Sequence, residues 1–182
     1  LLLAKVCAVL EWKFWRETEK KFSKKLNITA STDQLTDIYN RRLIFEAVDE
    51  PMENSKQSKD RKFATIMFDI DFFKQVNDNY GHAGGDAVLI SFAQLLQTEI
   101  SSPNIVGRIG GEEFLAILYL DPDQATEFCT KLINKLNSNV VNFEGTDIKV
   151  SSSGAVACPI EPETLADPRT QHSRAAYGPK KT

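Results

Sequence analysis

The chain has 182 residues, which suits one domain of ordinary size with an extension. Its composition is that of a globular protein, 42% hydrophobic and 26% charged, and a formal net charge of −3 excludes bulk nucleic-acid binding as its business. Three cysteines, Cys7, Cys129 and Cys158, are widely spaced without a metal-ligand pattern and read as reduced thiols that pack as small hydrophobes.

Residues 1–32 begin apolar, pass through Trp12, Phe14 and Trp15, and turn basic at Lys20, Lys21, Lys24 and Lys25. The apolar run is about ten residues, against the roughly 20 that a bilayer requires. Two readings stay open: the cytoplasmic end of a membrane helix, or a signalling helix whose stripe of Leu3, Val6, Leu10 and Phe14 pairs with a partner helix. Either makes the segment a connector. The first residue is Leu rather than Met, so the expectation is a chain that begins partway into a longer protein.

From Asp33 turn and cap residues lead into a helix carrying Leu43, Ile44, Ala47 and Val48. "NSKQSKDRK", 54–62, is a solvated loop. "FATIMFDID", 63–71, reads as a buried central strand that ends on acids. A short helical turn, a Gly-containing loop and a helix from about Gly85 to Ile100 follow; Val88, Leu89, Phe92, Leu95 and Leu96 have helical spacing. "SSPN" stops it. Residues 105–120 read as a hairpin turning at "GGEE", then comes a helix with a capping Asp, then strand, turn, strand over 141–157. From residue 63 the order is β-α-β-β-α-β, the split βαβ arrangement: an α+β, ferredoxin-like palm with a central antiparallel sheet and surrounding helices.

In such a sheet the strand ending at Asp69 and the turn carrying Glu112 and Glu113 can lie side by side. Carboxylates that converge there repel unless a cation lies between them. Hard oxygen ligands on an open face suit Mg²⁺, which keeps waters and bridges substrate phosphates. Gly110 and Gly111 remove side chains where a bulky substrate approaches the backbone. A nucleoside triphosphate with its metal is therefore the expected ligand; the competing reading is an acidic, solvated turn.

Four motifs then carry a resemblance. "GGEEF" at 110–114, "DQLTDIYNRR" at 33–42, "DIDFFKQVNDNYGHAGGDAVL" at 69–89 and "VSSSGAVA" at 150–157 stand in order, and the chain resembles the GGDEF family, the diguanylate cyclases, in its GGEEF variant. The resemblance implies condensation of two GTP to cyclic di-GMP and two pyrophosphates. It implies Mg²⁺, or Mn²⁺ in its place, held by the carboxylates of Asp69 and Glu112 and the carbonyl of Ile70. Glu112 stands where the family's general base stands, and Lys74 where a cation meets the triphosphate. Asn77 and Asp86 would read guanine, His82 would lie near ribose or base, and Gly110 and Gly111 would let the phosphates approach. Arg108 is expected to pair with an acid structurally, and Asp71 to be structural or to lie behind the metal ligands.

A half-site holds one GTP, so the implied active form is a homodimer, regulated by an upstream sensor, in the cytoplasm and with a membrane anchor outside this chain as one option. Two departures stand out. Ser101 and Asn104 occupy the positions of the family's R-x-x-D product-binding site, so product inhibition there is not expected. The tail, 165–182, keeps Ala166 and Asp167 but continues with Pro168 and lacks the usual apolar stripe. Residues 33–182 are thus read as a GGDEF domain with an atypical tail. The alternatives are a catalytically weak GTP-binding or dimerisation module, and a nucleotidyl cyclase of other specificity.

Overall fold

The computed structural model describes residues 31–48 and 63–158; residues 1–30 of the connector, the whole loop at 54–62 and the tail lie outside the described residues. Residues 41–48 form helix α1. Strand β1, Ala64–Ile70, is followed by helix α2, Phe73–Glu99, then strands β2, Ile105–Gly110, and β3, Glu113–Leu118. Helix α3, Pro122–Ser138, leads to β4, Val140–Phe143, β5, Thr146–Lys149, and β6, Ser152–Ala157.

The main sheet runs β2-β3-β1-β6, and the pairs β1–β3, β1–β6 and β2–β3 are all antiparallel. This is the expected α+β palm. Alternation along β1 sends Ala64, Ile66, Phe68 and Ile70 to one face, each fully buried. They meet Val88, Leu89, Phe92 and Leu96 of α2 and Leu132, Ile133 and Leu136 of α3. The Phe92 and Phe114 rings stack at 4.9 Å, tilted by 42°. A smaller core on the opposite face gathers Ile44 of α1 with Phe63, Ile109, Leu115 and Ile117.

β1 is the expected central strand, flanked by β3 and β6; its buried residues lie on one face and Met67 is exposed on the other, while residues 114–118 of β3 are buried throughout. Two expectations are corrected here. The Gly-containing loop before Gly85 is reduced to a kink at Gly81 (φ 70°, ψ 174°), because one left-handed glycine joins two helices directly within α2. Residues 141–157 hold three strands rather than two. Glu144 and Gly145, at φ 49° and 81°, turn β4 back on β5 as a separate hairpin, and β6 then joins the main sheet.

The cap of α3 is as read. The Asp121 carboxylate accepts from the amides of Asp123 and Gln124 at 3.0 and 2.9 Å, while the Gln124 side chain accepts from the Asp121 amide. Cys129 is fully buried against β6, and burial pushes its thiol up to about 11, so it packs as a hydrophobe.

Candidate active site at the open end of the sheet

Two chain segments meet at the end of β1. Asp69 pairs with Glu113 across β1 and β3, and the Ile70 amide donates to the Glu112 carbonyl at 3.3 Å. The hairpin turn carrying Glu112 is therefore docked on the Asp69–Ile70 strand end. Asp69 lies on the face opposite the main core and is half-buried, as is Glu112. Asp71 is 3% exposed; its amide donates to the Ser151 carbonyl and its Oδ1 accepts from Ser153 Oγ at 2.8 Å. Its Oδ2 is buried without a hydrogen-bond partner. The structural role expected for Asp71 fits these contacts.

The turn is built for close approach. Gly110 and Gly111 sit at φ 153° and 50°, and a Cβ at either would meet open space. Positive φ, rather than crowding, is what asks for glycine there. Arg108 holds the turn from inside: its Nε and one terminal nitrogen donate to the Gly111 carbonyl at 3.0 and 2.8 Å. The other terminal nitrogen reaches the Asp33 carboxylate at 3.1 Å. The acid expected for Arg108 is thus Asp33, 75 residues earlier. Asp33 also accepts from the Thr36 hydroxyl at 2.7 Å and the Thr36 amide at 3.0 Å, which explains the Asp-x-x-Thr spacing at 33–36.

Burial pushes the Asp33 carboxyl up, but the Thr36 hydrogen bonds and the Arg108 guanidinium outweigh it and hold the group below its ordinary value of 3.8. A depressed carboxylate stabilises the fold above its unfolded pKa, and that contribution disappears as pH falls through the folded value. Urea melts between about pH 6 and about pH 3 should show stability falling below roughly pH 4, with a shallower fall in Arg108→Met. Equal slopes would contradict the assignment.

The nucleobase candidates sit on α2. Lys74 is exposed in its first turn, and Asn77 follows one turn later. Gly85 is buried beneath Asn77: a Cβ there would collide with the Asn77 amide oxygen and meet the Phe73 ring at 3.2 Å. The glycine lets the two halves of the kinked helix close, which brings Asn77 alongside the residue that precedes Asp86. Asp86 is exposed. His82 is exposed just after the kink, and its place in a ligand site rests on the resemblance alone.

Sequence reasoning missed two features. Phe72, in the left-handed region (φ 56°) and 49% exposed, starts α2 with no side-chain cap bond, so the helix opens beside Asp69–Asp71 with backbone amides forward. Nothing in "DFFK" signals that conformation. The second is Arg41, which donates to the Ile109 carbonyl at 3.3 Å.

The hard-oxygen groups that the sequence assigns to a cation, the Asp69 and Glu112 carboxylates and the Ile70 carbonyl, belong to the strand end and the turn that dock here. Among the described residues no three acidic, His or Cys side chains converge into a cage. That chemistry fits Mg²⁺ or Mn²⁺, which retain waters and take substrate phosphate oxygens, better than an ion wholly enclosed by protein.

A family model described as "Diguanylate cyclase, GGDEF domain" matches residues 30–182. The chain belongs to the GGDEF family. Cyclic di-GMP synthesis is the activity that goes with the family, and divalent cations are typical of it. Over 126 residues this GGDEF chain is 30% identical to the bifunctional diguanylate cyclase/cyclic di-GMP phosphodiesterase MucR of Pseudomonas aeruginosa, covering 69% of the chain and 18% of that protein. Over 91 residues it is 41% identical to the probable diguanylate cyclase DgcF of Escherichia coli K12, covering 50% of the chain and 28% of that protein. The chain thus spans under a third of the length of these relatives. Among solved structures it resembles diguanylate cyclase SiaD in complex with its activator SiaC from Pseudomonas aeruginosa. The TM-score is 0.71 at 30% identity, with 90% of this chain and 62% of that one covered. The coiled coil and GGDEF domain of DgcB from Caulobacter crescentus, at TM-score 0.77 and 20% identity, covers 85% and 82% and shares the fold.

Proposed function

We propose that this GGDEF domain is the GTP-binding half-site of a diguanylate cyclase that acts as a homodimer. The observation that carries the reading is the Ile70 amide bond to the Glu112 carbonyl beside the Asp69–Glu113 pair, which supports Asp69, the Ile70 carbonyl and Glu112 serving one cation. Bound there, Mg²⁺ or Mn²⁺ would supply charge neutralisation on the triphosphate. Glu112 accepts the proton of the ribose 3′-hydroxyl. The 3′-oxygen forms its bond to the α-phosphorus of the GTP on the other protomer as the bond to pyrophosphate breaks. Lys74 offsets charge on the leaving phosphates. Two such transfers close the ring, so two half-sites must face each other.

Specificity falls to Asn77 and Asp86. A carboxylate that accepts from guanine N1–H and the 2-amino group leaves its acceptors unpaired against adenine, which is a strong form of rejection. GTP as substrate is consistent with a cytoplasmic domain. No helix among the described residues is long and apolar enough to cross a membrane, and an upstream sensor or anchor remains part of the proposal for the whole protein. A second reading, a GTP-binding module that turns over little, is favoured by one observation: Pro168 directly follows Ala166-Asp167, where a phosphate-binding helix is expected.

Near Ser101 and Asn104 lies a cleft of about 270 Å³, lined by Asp37, Tyr39, Gln97, Ser102 and Asn104 among others. Among the described residues its one charged lining group is an acid, Asp37, and the Asn104 side-chain oxygen already accepts from the Tyr119 amide at 2.9 Å. A doubly anionic dinucleotide meets no cation among the described residues that line it, which supports a cleft that does not hold product. Calorimetry tests both parts. GTP should bind only with Mg²⁺, ATP should fail to compete, and cyclic di-GMP should give no separate site. Mg²⁺-independent binding or equal competition by ATP would contradict the site, and tight product binding would contradict the cleft assignment.

A further inference from the structure

Arg41 stands in the first turn of α1, where a positive charge opposes the helix dipole. Its neighbour Arg42 makes the ordinary helical pair, with Glu46 at 3.0 Å. Arg41 instead reaches 68 residues along the chain to the Ile109 carbonyl, and its guanidinium lies 5.4 Å from the centroid of the Phe45 ring. Phe45 is 45% exposed, and its burial alone does not account for an aromatic at that position.

The turn that follows Ile109 is intrinsically soft. Two glycines with open space around them lose more conformational freedom on ordering than other residues do. Three carbonyls around it are nonetheless held: Ile109 by Arg41, Gly111 by Arg108, and Glu112 by the Ile70 amide. Arg108 acts inside the hairpin, while Arg41 acts from α1.

We infer that Arg41 and Phe45 form a positioning pair for the cation carboxylate Glu112: the exposed ring fixes the guanidinium, and the guanidinium pins the strand end that enters the glycine turn. The inference rests on the cation reading of Glu112. It explains why an exposed phenylalanine sits one helical turn beyond an arginine at an electrostatically unfavourable helix start.

The test is Mn²⁺ binding by the full chain, read by electron paramagnetic resonance with a non-hydrolysable GTP analogue. Amide hydrogen exchange at Gly110–Glu112 and thermal melting are recorded beside it. Arg41→Ala should weaken Mn²⁺ binding about tenfold, the usual scale for groups behind a metal ligand. Phe45→Leu should weaken it about two- to fivefold, as loss of an exposed cation–π contact implies, with an unchanged melting temperature and faster exchange in the turn. Glu112→Gln is the control. If Glu112→Gln removes Mn²⁺ binding and both other variants bind like the parent, the positioning pair is refuted and the cation reading stands. If Glu112→Gln binds like the parent, the cation reading fails and the positioning role falls with it.

Discussion

Glu112→Gln is expected to lower cyclic di-GMP formation at least about a hundredfold while leaving the fold intact, because an amide can neither take the 3′-hydroxyl proton nor bind a hard cation as a carboxylate does. Glu112 lies in a half-exposed turn, and its one described anchor, the hydrogen bond from the Ile70 amide, goes to its backbone carbonyl. The substitution keeps that bond and the size of the side chain. Melting temperature should therefore stay near that of the parent while turnover disappears, a separation that a structural role would not produce. Coupled release of pyrophosphate checks the rate, and circular dichroism checks the fold. Activity retained within a few-fold would show that the carboxylate is an acidic solvated turn residue.

Arg108→Ala is expected to damage both stability and activity. The side chains of Arg108 and Asp33 are 13% and 25% exposed, so removing the guanidinium leaves a largely desolvated carboxylate with Thr36 alone, and leaves the Gly111 carbonyl without its two donors. The cost is about 2–3 kcal/mol, below that of a fully buried pair because water still reaches Asp33. For a domain of this size the melting temperature should fall by roughly 5–10 °C. Arg108→Lys should recover part of the loss, since one ammonium cannot bridge both acceptors in the forked geometry. Scanning calorimetry of the three proteins decides this, and an Arg108→Ala protein that melts with the parent would remove the clamp from the account.

Much of this fold was legible because period and punctuation agree. The even-numbered residues of β1 turn inward, the α2 stripe from Val88 to Leu96 is core, and Asp121 caps α3 where the Asp-Pro-Asp-Gln run predicts it. What could not be read is non-local. That Arg108 meets Asp33, or that Arg41 meets Ile109, is set by packing residues far apart in sequence. Gly107 shows the same limit: a Cβ there would come within 2.7 Å of the Tyr39 carbonyl and 2.8 Å of Ile44 Cβ, because residues 39 and 107 pair as an isolated parallel bridge. No period in "IVGRIGG" announces that neighbour. The glycine at 81 marks a break in the helix without saying how many residues it takes, so the single-residue kink has no signature in the sequence.

The site divides along the same line. Element order puts the strand end at Asp69 beside the turn that carries Glu112, and the Asp69–Glu113 pair and the Ile70 amide bond to the Glu112 carbonyl join these two segments. Asn77 packs directly over Gly85, the residue before Asp86, and a side chain at Gly85 would displace it. Phe72 escaped because a left-handed, non-glycine helix start has no pattern in sequence.

The most direct test of the central claim is to incubate the purified chain with GTP and Mg²⁺ and quantify cyclic di-GMP by chromatography, beside Glu112→Gln. The account predicts product from the parent, a rate per chain that rises with protein concentration as two half-sites meet, and none from the variant. No product from a folded parent that binds GTP with Mg²⁺ would contradict the cyclase and leave a nucleotide-binding module.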